Sequence, residues 1–235
     1  MKNKTCLITG ANSETAFEIA KRFQEDYHLI LCWHKNSDMI QNLLDQNDVD
    51  SFRGDLRREE QCKIIMKECR NRYSHIDVII NCVGKNNKEK NITQEIWDDV
   101  IASNLTPAFF LSKYYWEFFY EEQYCEFKSC MIHIASTAGI NPAPSSPHYV
   151  AAKAGVIALS KYFAKIMAPY VRVNAIAPGY IETNSHRASA YNIIREHNPM
   201  KRFASTEEIA QTAAYIVNCK YINAQTIILN GGADS

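Results

Sequence analysis

Seven short strand-like runs, several of them wholly apolar and separated by longer stretches with a helical period, constrain the fold of this chain more than any other feature. The runs cover residues 5–9, 29–33, 49–52, 78–80, 131–135, 171–176 and 226–229. Between the first two, apolar residues at 16, 17, 19, 20 and 23 place a stripe along a helix over 15–23. Residues 38–44 read as a short helix, and 57–73 as a charged helix with Ile64, Ile65 and Cys69 on one side. Residues 93–103 and 108–119 read as two helices, and 149–167 as a long apolar one. Ser205 or Thr206 opens a helix over 206–217, with Glu207 and Glu208 in its first turn, where the helix dipole favours anions. Strands alternating with helices build βαβ units, and right-handed crossovers leave a doubly wound parallel sheet as the leading topology. The expected fold is α/β, with about seven strands and helices on both faces, in one domain over residues 1–235.

Composition excludes several function classes. A chain of 235 residues, 46% hydrophobic, hides roughly 70–75% of its unfolded surface in a core. Lys plus Arg is 26 and Asp plus Glu is 26, so the net charge is zero. Such a chain has no global pull on phosphate backbones or anionic membranes, and neither nucleic acid nor a membrane is an expected partner. No run reaches the ~18 apolar residues of a membrane helix. The first residues carry an apolar core too short for a secretory signal, so the expected location is cytoplasmic. Eight cysteines, at 6, 32, 62, 69, 82, 125, 130 and 219, form no Cys-x-x-Cys pair and no zinc-like cluster. Reduced thiols and no metal site are expected.

In a doubly wound sheet, ligands bind beyond the carboxyl ends of the strands. The first such place is the turn from Thr9-Gly10 through Asn12, Ser13 and Thr15 to Ala16. Backbone N–H groups at the start of the following helix can hold a pyrophosphate there. With one glycine in the turn, an ordinary strand-to-helix connection is the better reading of this stretch taken alone. Ser136, Tyr149 and Lys153 form a second set, spaced Ser-x12-Tyr-x3-Lys. Lys153 lies one helical turn after Tyr149, so both share a helix face. A phenol of pKa about 10 is a poor base near neutrality. A neighbouring ammonium favours its phenolate, and a serine hydroxyl can bond the reacting oxygen. With 13 tyrosines in the chain, it is the placement at one strand end and the next helix start that singles this one out.

Further motifs stand in order along the chain: Asp55-Leu56, Asn81-Cys82-Val83-Gly84, Trp97 with Asn104-Leu105 and Phe109, Ile134-Ala135-Ser136, Arg172-Val173-Asn174 running on to Pro178-Gly179-Tyr180-Ile181-Glu182-Thr183, and Asn230-Gly231-Gly232. Together with Tyr149-Val150-Ala151-Ala152-Lys153, they resemble the short-chain dehydrogenase/reductase family, and within it the group that includes 3-oxoacyl-[acyl-carrier-protein] reductases. The resemblance spans residues 4–232. It implies a Rossmann-type domain and NAD(P)(H)-dependent hydride transfer between nicotinamide and a ketone or secondary alcohol, 3-oxoacyl thioesters included. By the same resemblance, Tyr149 exchanges a proton with the substrate oxygen. Lys153 lowers the Tyr149 pKa and holds the nicotinamide ribose, and Ser136 orients the substrate. Asn104 extends a proton relay through a helix distortion and a bound water. Asp55 and Leu56 contact adenine. Gly10, Asn12, Ser13, Thr15, Asn81, Val83, Pro178, Gly179, Ile181 and Thr183 complete the cofactor site, with Tyr149 and Lys153.

Three departures matter. The family's turn reads Thr-Gly-x-x-x-Gly-x-Gly, and here Glu14 and Ala16 replace the second and third glycines. A carboxylate near a pyrophosphate repels it, so weaker or differently shaped cofactor binding is expected. The alternative reading is a non-catalytic nucleotide sensor or structural subunit. The second strand ends in Cys32-Trp33-His34-Lys35 with no acid for a ribose 2′-OH; Lys35 can pair with a 2′-phosphate, so NADP(H) is expected over NAD(H). A short substrate lid is expected over about 183–200, carrying His186, Arg187, Tyr191 and His197, with Pro142, Pro144, His148 and Tyr180 at the mouth. Before the fifth strand only Lys128 is basic, and before the sixth stands Met167-Ala168-Pro169-Tyr170. A small-molecule ketone or alcohol is therefore the expected substrate, and carrier-protein docking is a candidate without support. The aromatic stretch 109–124 suggests an oligomer face as well as core, in a homotetramer or homodimer.

Overall fold

All seven runs become parallel strands of one sheet. The computed structural model describes residues 2–121, 128–142, 145–183, 196 and 198–233. Its strands are β1 (Thr5–Thr9), β2 (His28–Trp33), β3 (Val49–Arg53), β4 (Val78–Asn81), β5 (Ser129–Ile134), β6 (Val171–Pro178) and β7 (Thr226–Leu229), in the order β3-β2-β1-β4-β5-β6-β7. The order reverses between β1 and β4, the switch point where such sheets open a ligand crevice. Register aligns the strand ends there: Thr9 stands beside Cys32 and Asn81, and Asn81 beside His133.

Alternate strand residues serve opposite faces. Cys6 and Ile8 pack with Phe23, Leu43 and Ile209, on the side of α1 (Glu14–Phe23), α2 (Gln41–Leu44) and α6 (Thr206–Asn218). Leu7 packs with Cys62, Tyr115 and Phe163, on the side of α3 (Glu59–Arg72), α4 (Gln94–Trp116) and α5 (Pro147–Ile166). Burial on both faces is why β1, β2 and β4 read as unbroken apolar runs rather than alternating ones.

Two local expectations are corrected. Residues 93–103 and 108–119 are not separate helices: α4 is continuous with Pro107 inside it, and passes into a π turn at Glu117–Glu121. Pro107 offers no N–H to the carbonyl four residues back. Ser103, Asn104, Ala108 and Leu111 around it are buried, and packing of both halves outweighs one missing bond. On α3 the buried stripe is Cys62, Ile65, Met66 and Cys69, while Ile64 is 44% exposed. Ile64 lies about 100° around the helix from Ile65 and so faces solvent. The seven described cysteines are all free. No helix among the described residues is long and apolar enough to cross a membrane.

Helix α6 starts where expected. The Ser205 hydroxyl accepts from the Glu208 N–H at 3.1 Å, and the Glu208 carboxylate accepts from the Ser205 N–H at 2.8 Å. Arg202 donates twice to the same carboxylate, at 2.7 and 2.6 Å, and holds its pKa down to about 2. Ser205→Ala should cost about 1 kcal/mol, a fall of ~2–4 °C in melting temperature by calorimetry for a chain of this size. Ser205→Asp should keep most of it.

Candidate active site

At the switch point, the ends of β1, β2, β3 and β4 enclose a cleft lined by Gly10, Lys35, Asp55, Leu56 and Val83, with His34, Arg57, Gly84, Lys85 and Ser103. Gly10 has φ +66°, and a Cβ on it would stand 3.0 Å from the Cys82 carbonyl carbon and the Val83 nitrogen. Only glycine lets the two strand ends approach this closely. Ser13 caps α1, its hydroxyl accepting from the Ala16 N–H at 3.3 Å. Asn12 accepts from the Met39 N–H at 3.2 Å and donates to Asn36, tying this turn to the loop after β2. Glu14 and Thr15 open α1, half-buried, and neither lines the cleft.

The cleft rim is cationic. Arg57 grips the Asp55 carboxylate through Nε, at 2.9 and 3.1 Å, and Nη2, at 2.6 Å, and reaches Asp99 through Nη1 at 2.9 Å. Lys85 also pairs with Asp99, and His34 Nε2 lies 3.8 Å from Asp55. Arg57 holds the Asp55 pKa down to about 2. Lys35 is exposed and has no partner among the described residues. His34, Arg57 and Lys85 were not singled out in the sequence. Arg57 stands two residues after Asp55, but only the sheet register brings it to Asp99 on α4.

Ser136 follows β5, and Tyr149 and Lys153 lie in the first two turns of α5. The Ser136 side chain stands near the Tyr149 hydroxyl and acts to lower its pKa. Lys153, 4% exposed, donates from Nζ to the Ile134 carbonyl at 2.8 Å, and its Nζ is 5.7 Å from the Tyr149 ring centroid. Burial pushes the Lys153 pKa down to about 8. Burial also raises that of Tyr149, against the lowering effect of Ser136. Asn104 Nδ2 donates to the Val100 and Lys85 carbonyls at 2.8 and 2.7 Å, while its Oδ1 is buried without a protein partner. A Cβ on Gly84 would stand 2.6 Å from Asn104 Oδ1 and 3.0 Å from Lys153 Nζ, so both polar atoms border one small space.

The remaining sequence-predicted residues fall elsewhere. Asn81 lies beneath the cleft rather than in its wall. Pro178 ends β6, the Gly179 N–H donates to the Leu229 carbonyl at 2.9 Å, and Ile181 pairs with Ala204 in a parallel bridge. These and Thr183 run past the end of β6 and do not line the cleft. Pro142 is exposed, and Tyr180, 38% exposed, sits 5.9 Å from the Phe203 ring. His148 is corrected: it is fully buried, with neither ring nitrogen partnered, and lines no mouth. One residue before Tyr149, its side chain leaves the helix about 100° away and enters the packing. Pro144, and His186, Arg187, Tyr191 and His197 of the expected lid, lie outside the described residues. Among the described residues, no three His, Cys, Asp or Glu side chains are placed to share a metal ion.

Residues 10–234 match the family model described as Enoyl-(Acyl carrier protein) reductase. The 3-oxoacyl-[acyl-carrier-protein] reductase FabG of Staphylococcus epidermidis is 30% identical over 244 residues, 98% of each chain. The chain belongs to the short-chain dehydrogenase/reductase family. It is an NAD(P)-dependent oxidoreductase acting on CH–OH or ketone groups. Nothing in these comparisons supports the non-catalytic alternative. FabG of Thermotoga maritima is 27% identical over 249 residues, 99% of this chain and 98% of that one. Two solved structures share the fold. A short-chain dehydrogenase/reductase of Brucella melitensis, titled glucose/ribitol dehydrogenase, gives a TM-score of 0.90 at 23% identity, over 100% of this chain and 98% of that one. An actinorhodin polyketide ketoreductase solved with NADPH gives 0.88 at 24%, over 99% of each.

In this dehydrogenase/reductase, Gly139 seats the turn after Ser136 on α5. A Cβ there would stand 2.6 Å from the Lys153 carbonyl carbon and the Ala154 nitrogen. Gly139→Ala should part Ser136 from Tyr149 and lower turnover on the order of 100-fold. The dinucleotide Kd, measured by nicotinamide fluorescence, should move far less.

Proposed function

We propose that this short-chain dehydrogenase/reductase reduces a ketone to a secondary alcohol with NADP(H) in preference to NAD(H). The observation that carries the reading is the placement of the Ser136 and Tyr149 side chains near one another, beside the buried ammonium of Lys153. Two hydroxyls converging at one point suit a single carbonyl oxygen. The glycine cradle at Gly10, the cationic rim and the unpartnered Asn104 Oδ1 fit a bound nicotinamide dinucleotide, which supplies the hydride. Gly10, Asn12, Ser13, Thr15, Leu56 and Val83 form its phosphate and adenine end, with Asp55 and Asn81 shaping the turns. Pro178, Gly179, Ile181 and Thr183 serve the nicotinamide end.

The chain's own residues handle the proton. Ser136 holds the substrate oxygen, and Tyr149 gives it a proton. The Lys153 ammonium stabilises the phenolate left behind and passes it a proton, and the neutral amine then takes a replacement from water in the space bordered by Asn104 Oδ1. With a pKa of about 8, Lys153 is charged below that value and neutral above it. Ketone reduction should therefore be level on the acid side and fall as pH rises through about 8, read from a pH–rate profile. Tyr149→Phe should lower kcat roughly 10²–10⁴-fold with the dinucleotide Kd nearly unchanged.

Cofactor preference rests on the rim. Arg57 is engaged by Asp55 and Asp99, whereas Lys35 is an uncommitted cation at the end of β2. Lys35→Asp should weaken NADPH binding roughly ten-fold, about 1.4 kcal/mol, and NADH little. An equal loss for both would remove Lys35 from this role. Because the curated relatives are 3-oxoacyl-[acyl-carrier-protein] reductases, 3-oxoacyl thioesters are the first ketones to assay, free and carrier-bound. Exposed Phe109, Tyr162 and Ile166 on α4 and α5 favour a homodimer or homotetramer through that face. The buried free thiols suit the cytoplasm.

A further inference from the structure

His133 lies fully buried on β5, opposite Asn81 of β4. Its Nδ1 is 3.3 Å from Asn81 Nδ2, and its Nε2 is 3.2 Å from Ser112 Oγ on α4. Burial first, and then the Lys153 ammonium, push its pKa down to about 4. The ring is neutral near neutrality, with one N–H and one lone pair. The ends of the chain of bonds decide which nitrogen carries which. The Val83 N–H can only donate, and it donates to Asn81 Oδ1 at 3.2 Å; Thr9 Oγ1 donates to the same oxygen at 2.8 Å. Asn81 Nδ2 therefore faces the ring, and an amide nitrogen only donates. His133 Nδ1 must carry the lone pair, so Nε2–H donates to Ser112 Oγ. The Ser112 hydroxyl in turn donates to the Ala108 carbonyl at 2.7 Å. Every bond runs one way, from β1 and β4 through β5 to α4.

The turn that Asn81 anchors has little room to move. Gly10 abuts Cys82 and Val83 on one side, and Gly84 abuts Asn104 Oδ1 and Lys153 Nζ on the other. We infer that His133 is a positioning residue: by accepting from Asn81 Nδ2, it holds the carboxamide in the one orientation that pins the Val83–Gly84 turn beneath the cofactor cleft and beside Lys153. Without that acceptor, Asn81 loses a buried bond and is free to rotate, which takes Oδ1 from the Val83 N–H. The inference rests on nicotinamide-dinucleotide use by this chain and not on the preference for the 2′-phosphate.

The test compares three variants of the full chain with the unsubstituted protein, by NADPH and NADH titration and steady-state kinetics. His133→Leu removes the acceptor, His133→Asn restores one through its side-chain oxygen, and Ser112→Ala removes only the partner of Nε2. His133→Leu should raise the Kd of the dinucleotide roughly five- to fifty-fold, the effect of one lost buried hydrogen bond, with a smaller fall in kcat. His133→Asn should return Kd to within about three-fold of the starting value, and Ser112→Ala should barely move it. Nitrogen-15 NMR of histidine-labelled unsubstituted protein should show His133 as the Nε2–H tautomer, without titration between about pH 5 and 8. That measurement decides the matter if the leucine variant does not fold. An Nδ1–H tautomer overturns the inference. So does an unchanged Kd for His133→Leu, or an asparagine variant no better than leucine, since a purely packing role lowers melting temperature in both without separating their Kd values. If the unsubstituted chain binds NADH better than NADPH, the proposed preference fails, and the comparison runs with NADH.

Discussion

The rest of the site depends on how closely β1 and β4 approach at their carboxyl ends. A methyl group on Gly10 would meet the backbone of Cys82 and Val83 at 3.0 Å, so the cleft floor exists only because this residue has no side chain and tolerates φ +66°. The same turn presses through Gly84 on Asn104 and Lys153. The cleft and the proposed proton-handling residues therefore share one wall, and a shift in that turn is felt on both sides. Close-packed interiors transmit such displacements because they hold few voids to absorb them.

Burial does opposite things to the two groups proposed to handle the proton. It raises the pKa of the Tyr149 phenol and lowers that of Lys153 to about 8, because a low-dielectric setting disfavours the charged form of each. Tyr149 is kept protonated, as an acid for carbonyl reduction must be. Lys153 stays charged at neutrality by a narrow margin. The resemblance predicts an ammonium that lowers the neighbouring phenol; in the structure, desolvation is the larger effect on Tyr149. At the cleft rim the balance differs. Arg57, Asp55, Asp99 and Lys85 are partly exposed and mutually paired. Such pairs are individually worth little in stability, so their place around the cleft matters more than their strength.

Much of this was legible in the residue order. Strand-like runs, several of them wholly apolar and bounded by helical periods, gave all seven strands to within a few residues, since both faces of a parallel sheet must be apolar. The placement of Ser136, Tyr149 and Lys153 near one another was legible because a helix repeat puts residues four apart on one face and a strand end precedes them. Pro107 misled, since a local rule predicts a break where tertiary packing holds the helix together. His148 misled for a similar reason: adjacency to Tyr149 in the chain is not adjacency in space on a helix.

By itself, then, the sequence determined the parallel α/β sheet and the family, and it put forward the serine, tyrosine and lysine of the proposed site, because periodicity and spacing are properties of the chain alone. Tertiary structure alone decided that Arg57 meets Asp99, that Asn104 Oδ1 and Lys153 Nζ border one space, and that His133 stands behind Asn81. Those contacts join residues 42 to 52 positions apart, and they form only when the register of neighbouring strands and the seating of helices on the sheet bring the residues together.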